Sequence, residues 1–246
     1  MSPDFRIVIP ARYASVRLPG KPLRDINGKP MIEWVYLAAS QAEASEVVVA
    51  TDDQRIADVV TGFGGRACLT DSGHRSGTDR ILEVTQKLNW SRDTIVVNLQ
   101  GDEPLMPAVN ITQVAQNLAS QDCAMATLHK HIDADAARDP NQVKLVQDKN
   151  GKALYFSRSV IPFDRGGDGD QYLGHIGIYA YRVGFIQTFS ELPACDLERA
   201  ESLEQLRALC NGYAIHSALA LANPGPGIDT EQDLARVAQI MASQTA

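Results

Sequence analysis

Four cysteines in 246 residues, none in a Cys-x-x-Cys pair, offer neither a zinc knuckle nor a disulfide framework. Cys68, Cys123, Cys195 and Cys210 read as separate thiols of a reducing compartment. A basic excess is missing as well. Lys and Arg number 23 against 30 Asp and Glu, a net charge of −7, which argues against a general nucleic-acid binder. That balance still leaves room for a local cationic pocket. No run reaches the ~20 apolar residues that cross a bilayer. The opening Met-Ser-Pro-Asp-Phe-Arg also leads into no signal-type apolar core. The expectation is a cytoplasmic protein with no membrane partner.

What the chain does have is 44% apolar and 22% charged residues, the make-up of one large α/β domain spanning 1–246. The first half alternates strand-like runs (5–10, 46–50, 67–69, 94–99) with helical patterns (30–42, 78–88 and a helix capped at Asp52-Asp53 that ends at 63). Such alternation predicts a mostly parallel central sheet with helices on both faces. Ligands then sit at the carboxyl ends of the strands. Beyond about residue 122 the pattern becomes strand-rich (125–131, 142–147, 153–156, 175–181), with a hairpin signal at Asn150-Gly151. Residues 123–182 thus form a smaller strand-rich part. Helices resume over 197–209 and 230–241. The acidic loop 164–170 lacks the twelfth-position carboxylate and the flanking helices of a calcium loop.

Four segments hold residue types suited to phosphate chemistry. The loop after the first strand carries Arg12, Arg17 and Lys21, interrupted by Ala14, Ser15, Pro19 and Gly20. Small residues let backbone N–H groups approach a phosphate, and three cations match a triphosphate. The loop is neither Gly-x-x-x-x-Gly-Lys-Ser/Thr nor Gly-x-Gly-x-x-Gly, which disfavours P-loop kinases and NAD-dependent dehydrogenases. A solvated basic loop is the plain alternative. The second segment, Gln100-Gly101-Asp102-Glu103-Pro104, puts a carboxylate at a strand end, where Mg²⁺ on a nucleotide phosphate is held. Asp229 is the candidate second carboxylate. It is read as following a short apolar strand, with a helix N-cap as the alternative role.

The third segment, His74 to Arg80, opens a helix with Ser76 and Gly77, and helix N-termini favour anions. Arg80 there gains nothing from the macrodipole, so a functional role is the better reading. The fourth, 197–207, carries Glu198, Glu201, Glu204 and Gln205 beside a leucine stripe. Its plain reading is a solvated face with Glu204 paired to Arg207.

Taken together, these segments resemble the CMP-Kdo synthetases, the 3-deoxy-manno-octulosonate (Kdo) cytidylyltransferases. The resemblance runs through 9–23, 27–32, 50–52, 76–80 and 97–104. It continues through 153–158 with Ile161-Pro162, 175–182, 203–209 and 227–230. It implies a nucleotide-diphospho-sugar-transferase-like fold and the reaction CTP + Kdo → CMP-Kdo + pyrophosphate, serving lipopolysaccharide assembly. It implies that Arg12, Arg17 and Lys21 hold the triphosphate, with Arg12, Lys21, Asp102 and Asp229 central to catalysis. Ser76, Gly77 and Gln100 belong to the cytidine end, and Asp102 and Asp229 bind Mg²⁺. Arg80, Gln100, Arg158, His175, Tyr179, Glu204 and Gln205 line the sugar site. A homodimer paired through the strand-rich part is implied too. Two departures stand out: residues 163–174 form a short Gly-rich segment, and Gly174 precedes His175 where Arg is expected. Rival readings are the same chemistry on an 8-amino-Kdo or sialic-acid-type sugar, a non-catalytic nucleotide sensor, or a sugar-binding module.

Overall fold

Alternate residues of the first strand face opposite ways, and both sides are apolar, so this strand must lie inside a sheet covered on both faces. A computed structural model describes residues 3–14, 17–74, 76–167 and 171–245. Ser15 of the cationic loop, Arg75 and the end of the acidic loop (Asp168, Gly169 and Asp170) lie outside the described residues.

In chain order the elements begin with β1 (Phe5–Ala11), a short 3₁₀ turn (Lys21–Leu23) and the small hairpin β2 (Asp25–Ile26) and β3 (Lys29–Pro30). Next come α1 (Met31–Ser40), β4 (Glu46–Thr51), α2 (Gln54–Gly62), β5 (Arg66–Leu69), α3 (Gly77–Lys87), β6 (Ile95–Asn98) and α4 (Ala108–Ser120). They are followed by β7 (Met125–Ile132), α5 (Ala134–Arg138), β8 (Lys144–Gln147), β9 (Ala153–Ser157) and β10 (Tyr172–Arg182). The chain ends with α6 (Val183–Glu191), α7 (Asp196–Glu201), α8 (Gln205–Cys210), β11 (Ile215–Leu219) and α9 (Glu231–Thr245).

Among the described residues, nine strands share one sheet along the path β11-β7-β10-β6-β1-β4-β5, with the β8–β9 pair hanging from β10. Strands β5, β4, β1 and β6 run parallel, β10 is reversed between β6 and β7, and β11 runs parallel to β7. Phe5, Ile7 and Ile9 of β1 pack with α1, α2 and α4 on one face. Val8 packs with Ile81 and Val84 of α3, Ile186 of α6 and Leu206 of α8 on the other. A third cluster joins Leu18, Ile26 and Met31 to Ile228, Leu234 and Val237. Helix α9 thereby clamps the N-terminal loop, burying side chains worth about 1.5–3 kcal/mol each.

Three expectations are corrected. The helix over 197–209 is two helices, broken at Ser202, which takes a left-handed conformation (φ 51°). The cause is tertiary: Arg158 Nε donates to the Glu201 carbonyl at 2.7 Å and Nη2 reaches the Ser202 carbonyl, so the first helix ends on a cation. The Glu204–Arg207 pair does not form, because Arg207 grips Glu198 through Nη2 (2.5 Å) and Nε (2.9 Å). Folding the two short helices back on each other also joins Cys195 to Cys210 as a disulfide, with Cα atoms 6.5 Å apart. Cys68 and Cys123 remain free thiols. Nothing in a 15-residue spacing announces such a pairing.

Candidate active site

The cationic loop turns back on itself before it delivers its lysine. Gly20 adopts φ 65°, which an L side chain rarely does, and its N–H donates to the Tyr13 carbonyl at 3.3 Å. A Cβ there would stand 3.3 Å from the Tyr13 ring, itself covered by the Arg55 guanidinium at 3.5 Å. With the chain so folded, Lys21 begins the 3₁₀ turn with its side chain only 11% exposed.

Its Nζ meets two carboxylates, Asp102 Oδ2 at 2.6 Å and Asp229 Oδ1 at 2.9 Å, although these lie 81 and 208 residues away in sequence. Close backbone approach makes the convergence possible. The Ile228 N–H donates to the Asp102 carbonyl at 3.0 Å, and a Cβ on Gly227 would lie 2.9 Å from Glu103 Oε1. A Cβ on Gly101 would lie 2.8 Å from the Pro10 carbonyl, so β1 and the 100–104 loop touch only because that residue is glycine. Asp229 follows an irregular Gly-Pro-Gly stretch, with β11 ending ten residues earlier, and not a strand as expected. Nor does it cap α9. Thr230 and Asp233 do that through a reciprocal pair of bonds, leaving the Asp229 carboxylate for Lys21 and for Arg17 at 3.0 Å.

A cleft of about 440 Å³ opens above this centre. It brings together nine of the residues singled out in the sequence: Arg12, Arg17, Lys21, Ser76, Gly77, Arg80, Gln100, Asp102 and Asp229. Arg12 is exposed within it. Ser76 caps α3 by accepting from the Asp79 N–H at 3.1 Å, so the helix N-terminus faces the cavity. Arg80 is buried and aimed by Asp52 (2.8 Å) and Thr70 (2.5 Å) at the ends of β4 and β5. Beside the two aspartates, burial and the Asp102 charge push the Glu103 carboxyl up to about 8. It stays protonated at neutral pH and adds no third charge there.

Of the remaining expected residues, Glu204 lines an adjoining cleft of about 620 Å³ that shares Ser76 with the first, whereas Arg158, His175, Tyr179 and Gln205 line neither cleft. Glu204 Oε2 accepts from Thr78 Oγ1 at 2.8 Å, while its Oε1 and the Gln205 Nε2 are buried without a partner. His175 is half-buried, with Nε2 3.0 Å from Thr127 Oγ1 and its ring between Phe156 and Tyr179. Burial, then repulsion from His129, pushes it down to about 3, so it is neutral at physiological pH. Arg158 lies apart, its donors spent on the carbonyls of Glu201, Pro140 and Ser202. A Cβ on Gly174 would sit 2.8 Å from Ile132 Cγ2, so no arginine fits where one was expected.

Sequence reasoning missed Asn98 and Tyr181, which bond to each other beside Gln100; Asp52 and Thr78 lie in segments it singled out, and the structure adds that they hold Arg80 and Glu204. The available signal was Asn98, a polar side chain inside an otherwise apolar strand.

His74, on the cleft rim, is fastened at 2.5 Å to Glu83, which also accepts from Lys87 and the Asp71 N–H. Burial would raise this carboxyl, but the bonds from Lys87, the Asp71 N–H and His74 outweigh it and hold it at about 2. A depressed acid stabilises the fold above its unfolded value of 4.5, and the contribution fades as pH falls toward 2. Glu83→Gln therefore lowers unfolding free energy by about 2 kcal/mol at pH 7, a gap that closes near pH 2. Denaturant melts across that range check it, and a pH-independent gap contradicts it.

A cytidylyltransferase family profile matches residues 6–215. A 3-deoxy-manno-octulosonate cytidylyltransferase from Tolumonas auensis is 53% identical over 246 residues, covering 97% of each chain. The protein of the same name from Photobacterium profundum is 53% identical over 95% of this chain and 98% of its own. The solved structure of CMP:2-keto-3-deoxy-manno-octonic acid synthetase complexed with CTP matches with a TM-score of 0.94 at 46% identity. It covers 98% of this chain and 100% of the other. Among the described residues, no helix is long and apolar enough to cross a membrane.

Proposed function

The chain belongs to the 3-deoxy-manno-octulosonate cytidylyltransferase family, and on that footing we propose that CTP and the sugar acid meet across its two adjoining clefts. The reaction transfers CMP from CTP to Kdo with release of pyrophosphate. We assign its product to lipopolysaccharide assembly. The observation that carries the site assignment is Lys21 Nζ held between Asp102 and Asp229 at the floor of a cleft edged by Arg12 and Arg17.

Two anions must approach each other, because a hydroxyl of an acidic sugar attacks the α-phosphorus. Arg12, Arg17 and Lys21 offset that repulsion and hold the β- and γ-phosphates as they leave. An entering triphosphate offers Lys21 a competing anion and frees the two carboxylates. These converge on one point and so suit a cation held by two carboxylates plus phosphate oxygens, for which we propose Mg²⁺. Bound there, the ion would neutralise charge on the transferring group. Ser76 and Gly77 present the N-terminus of α3 to the cytidine end. The unpartnered Glu204 Oε1 and Gln205 Nε2, an acceptor beside a donor, suit sugar hydroxyls. Arg80, Gln100, His175 and Tyr179 complete that side. Among the described residues no side chain stands as a covalent nucleophile, so most of the rate comes from positioning.

A pyrophosphate-release assay with CTP and a panel of acid sugars tests the assignment. Kdo turns over; turnover with 8-amino-Kdo or a sialic acid and none with Kdo would sink it. We further propose a cytoplasmic homodimer, the location resting on the need for CTP and checked by cell fractionation. Phe163 and Leu154 are 86% and 59% exposed in the strand-rich part, an apolar surface that a second copy would cover. Sedimentation equilibrium is expected to read twice the 26.7 kDa chain mass, and Phe163→Asp to halve it.

A further inference from the structure

We propose that Cys195 and Cys210 are a reversible oxidation site for a low-molecular-weight disulfide, and that closing it fixes one wall of the second cleft and sets its affinity for the sugar acid. The proposal rests on the reading of that cleft as the sugar side. Residues 196–210 fold as two six-residue helices, α7 and α8, turned back on each other at Ser202. They supply Glu198, Arg199, Ser202, Leu203, Glu204 and Arg207 to the cleft. Cys195 caps the first helix and Cys210 ends the second, so their bond joins the two open ends of the hairpin.

The two helices are anchored unequally. Helix α8 buries Gln205, Leu206 and Ala208, the last two within the core. Helix α7 has no buried residue, and its one leucine, Leu197, is 45% exposed. So short a helix forms too few backbone bonds to hold itself. Its C-terminal end is fixed by Arg158 and by the Glu201 carboxylate, which accepts from Ser157 Oγ at 2.6 Å and the Arg158 N–H at 2.8 Å. Its N-terminal end is tied to α8 by the Glu198–Arg207 pair and by the disulfide. Opening the disulfide leaves that end to the ion pair. Ala194, Glu198 and Arg199, which line the cleft, lie on the stretch so released.

Cys210 is exposed and Cys195 half-buried, so a small thiol or disulfide reaches the pair. The Cys210 thiolate attacks one sulfur of a small disulfide, forming a mixed disulfide and expelling one thiolate. The Cys195 thiolate then attacks the Cys210 sulfur and expels the second. Two electrons pass from the protein thiols to the small disulfide, and the two protons they lose end on the two small thiols released. Excess small thiol reverses both steps. In a reducing cytoplasm, the location proposed above, a disulfide serves as a sensor more readily than as a permanent brace. The open form has partners of its own. Cys195 Sγ accepts from the Glu198 N–H at 3.4 Å and lies 3.8 Å from the Leu206 carbonyl, to which its S–H donates after reduction. Reduction therefore keeps the cap of α7 and removes the tie to Cys210. Burial pushes the Cys68 and Cys123 thiols above their ordinary range, which lowers their thiolate share and leaves the Cys195–Cys210 pair as the responsive one.

Steady-state kinetics on the full chain test it, after equilibration with oxidised glutathione or with dithiothreitol. Alkylation and peptide mass read the state of each cysteine. Reduction is expected to raise KM for Kdo about fivefold, as when the cleft wall is in place in about one-fifth of the molecules, while KM for CTP stays within about twofold. Cys195→Ser, which keeps a helix cap, shows the higher value in both buffers, and Cys210→Ser matches it. Amide hydrogen exchange across 195–201 is faster in the reduced protein. A pair that stays reduced in oxidised glutathione overturns the proposal. So does a redox response that survives in Cys195→Ser, or an equal rise in both KM values on reduction. Glu204→Ala separates the two readings. If it raises KM for Kdo while the oxidised and reduced forms have equal values, the sugar cleft stands and the switch falls. If it leaves KM for Kdo unchanged, the sugar-cleft reading falls and takes the proposed effect with it.

Discussion

Asp102→Asn is expected to cut turnover by about a thousandfold or more while leaving CTP affinity within about threefold. The substitution keeps the side chain's shape and removes one charge. The Asp102 backbone still receives the Ile228 N–H, so the two loops stay joined. Affinity for CTP survives because Arg12, Arg17 and the N-terminus of α3 are untouched. Turnover is expected to fail because the substitution neutralises one of the two carboxylates proposed above to hold Mg²⁺. The loss should appear in kcat, since the missing interaction strengthens as charge develops on the transferring phosphoryl group. Stopped-flow pyrophosphate release and equilibrium dialysis with CTP separate the two quantities. Normal turnover in this variant would overturn the metal assignment.

Lys21→Met is the second large effect, with kcat/KM for CTP falling about 10²- to 10³-fold. Methionine keeps the length and the buried stem and removes the cation between Asp102 and Asp229. The two carboxylates then face each other and, among the described residues, Arg17 is the cation left paired with Asp229. The ligand-free variant therefore loses roughly 1 kcal/mol of stability, because Lys21 is buried but Asp102 and Asp229 are partly exposed and water screens the charges left behind. Magnesium should raise its melting temperature more than that of the parent, because an added cation can take the place left by Nζ. Calorimetry with and without Mg²⁺ reads this directly. Equal shifts in the two proteins would show that the carboxylates do not form a cation site.

Much of the scaffold is legible in the order of residues. The β-branched runs and amphipathic stretches place β1, β4, β5, β6, α1, α2 and α3 within a few residues of where they lie, because apolar periodicity reports burial directly. The same rule puts the Arg12–Lys21 loop and Asp102 at strand ends. It goes wrong at 197–209, where the apolar stripe continues but Arg158, some forty residues earlier, captures the carbonyls of Glu201 and Ser202 and ends the helix. The choice of Glu198 by Arg207, and the meeting of Cys195 with Cys210, follow from that break. Periodicity within one segment has no access to a partner supplied by another.

By itself, then, the sequence determined the parts: a parallel-sheet α/β scaffold, a loop with three cations, and acidic and polar residues at strand ends and on a helix. These are local properties, set by side-chain chemistry and by the repeat of helix and strand. Only the tertiary structure decided how the parts act together. It brought Asp229 across 208 residues to Lys21 by packing Gly225 and Gly227 against the 102–105 loop. The reason is physical. The direction of a hydrogen bond and the distance between two charges depend on which backbones approach closely, and close approach is a property of the packed chain alone.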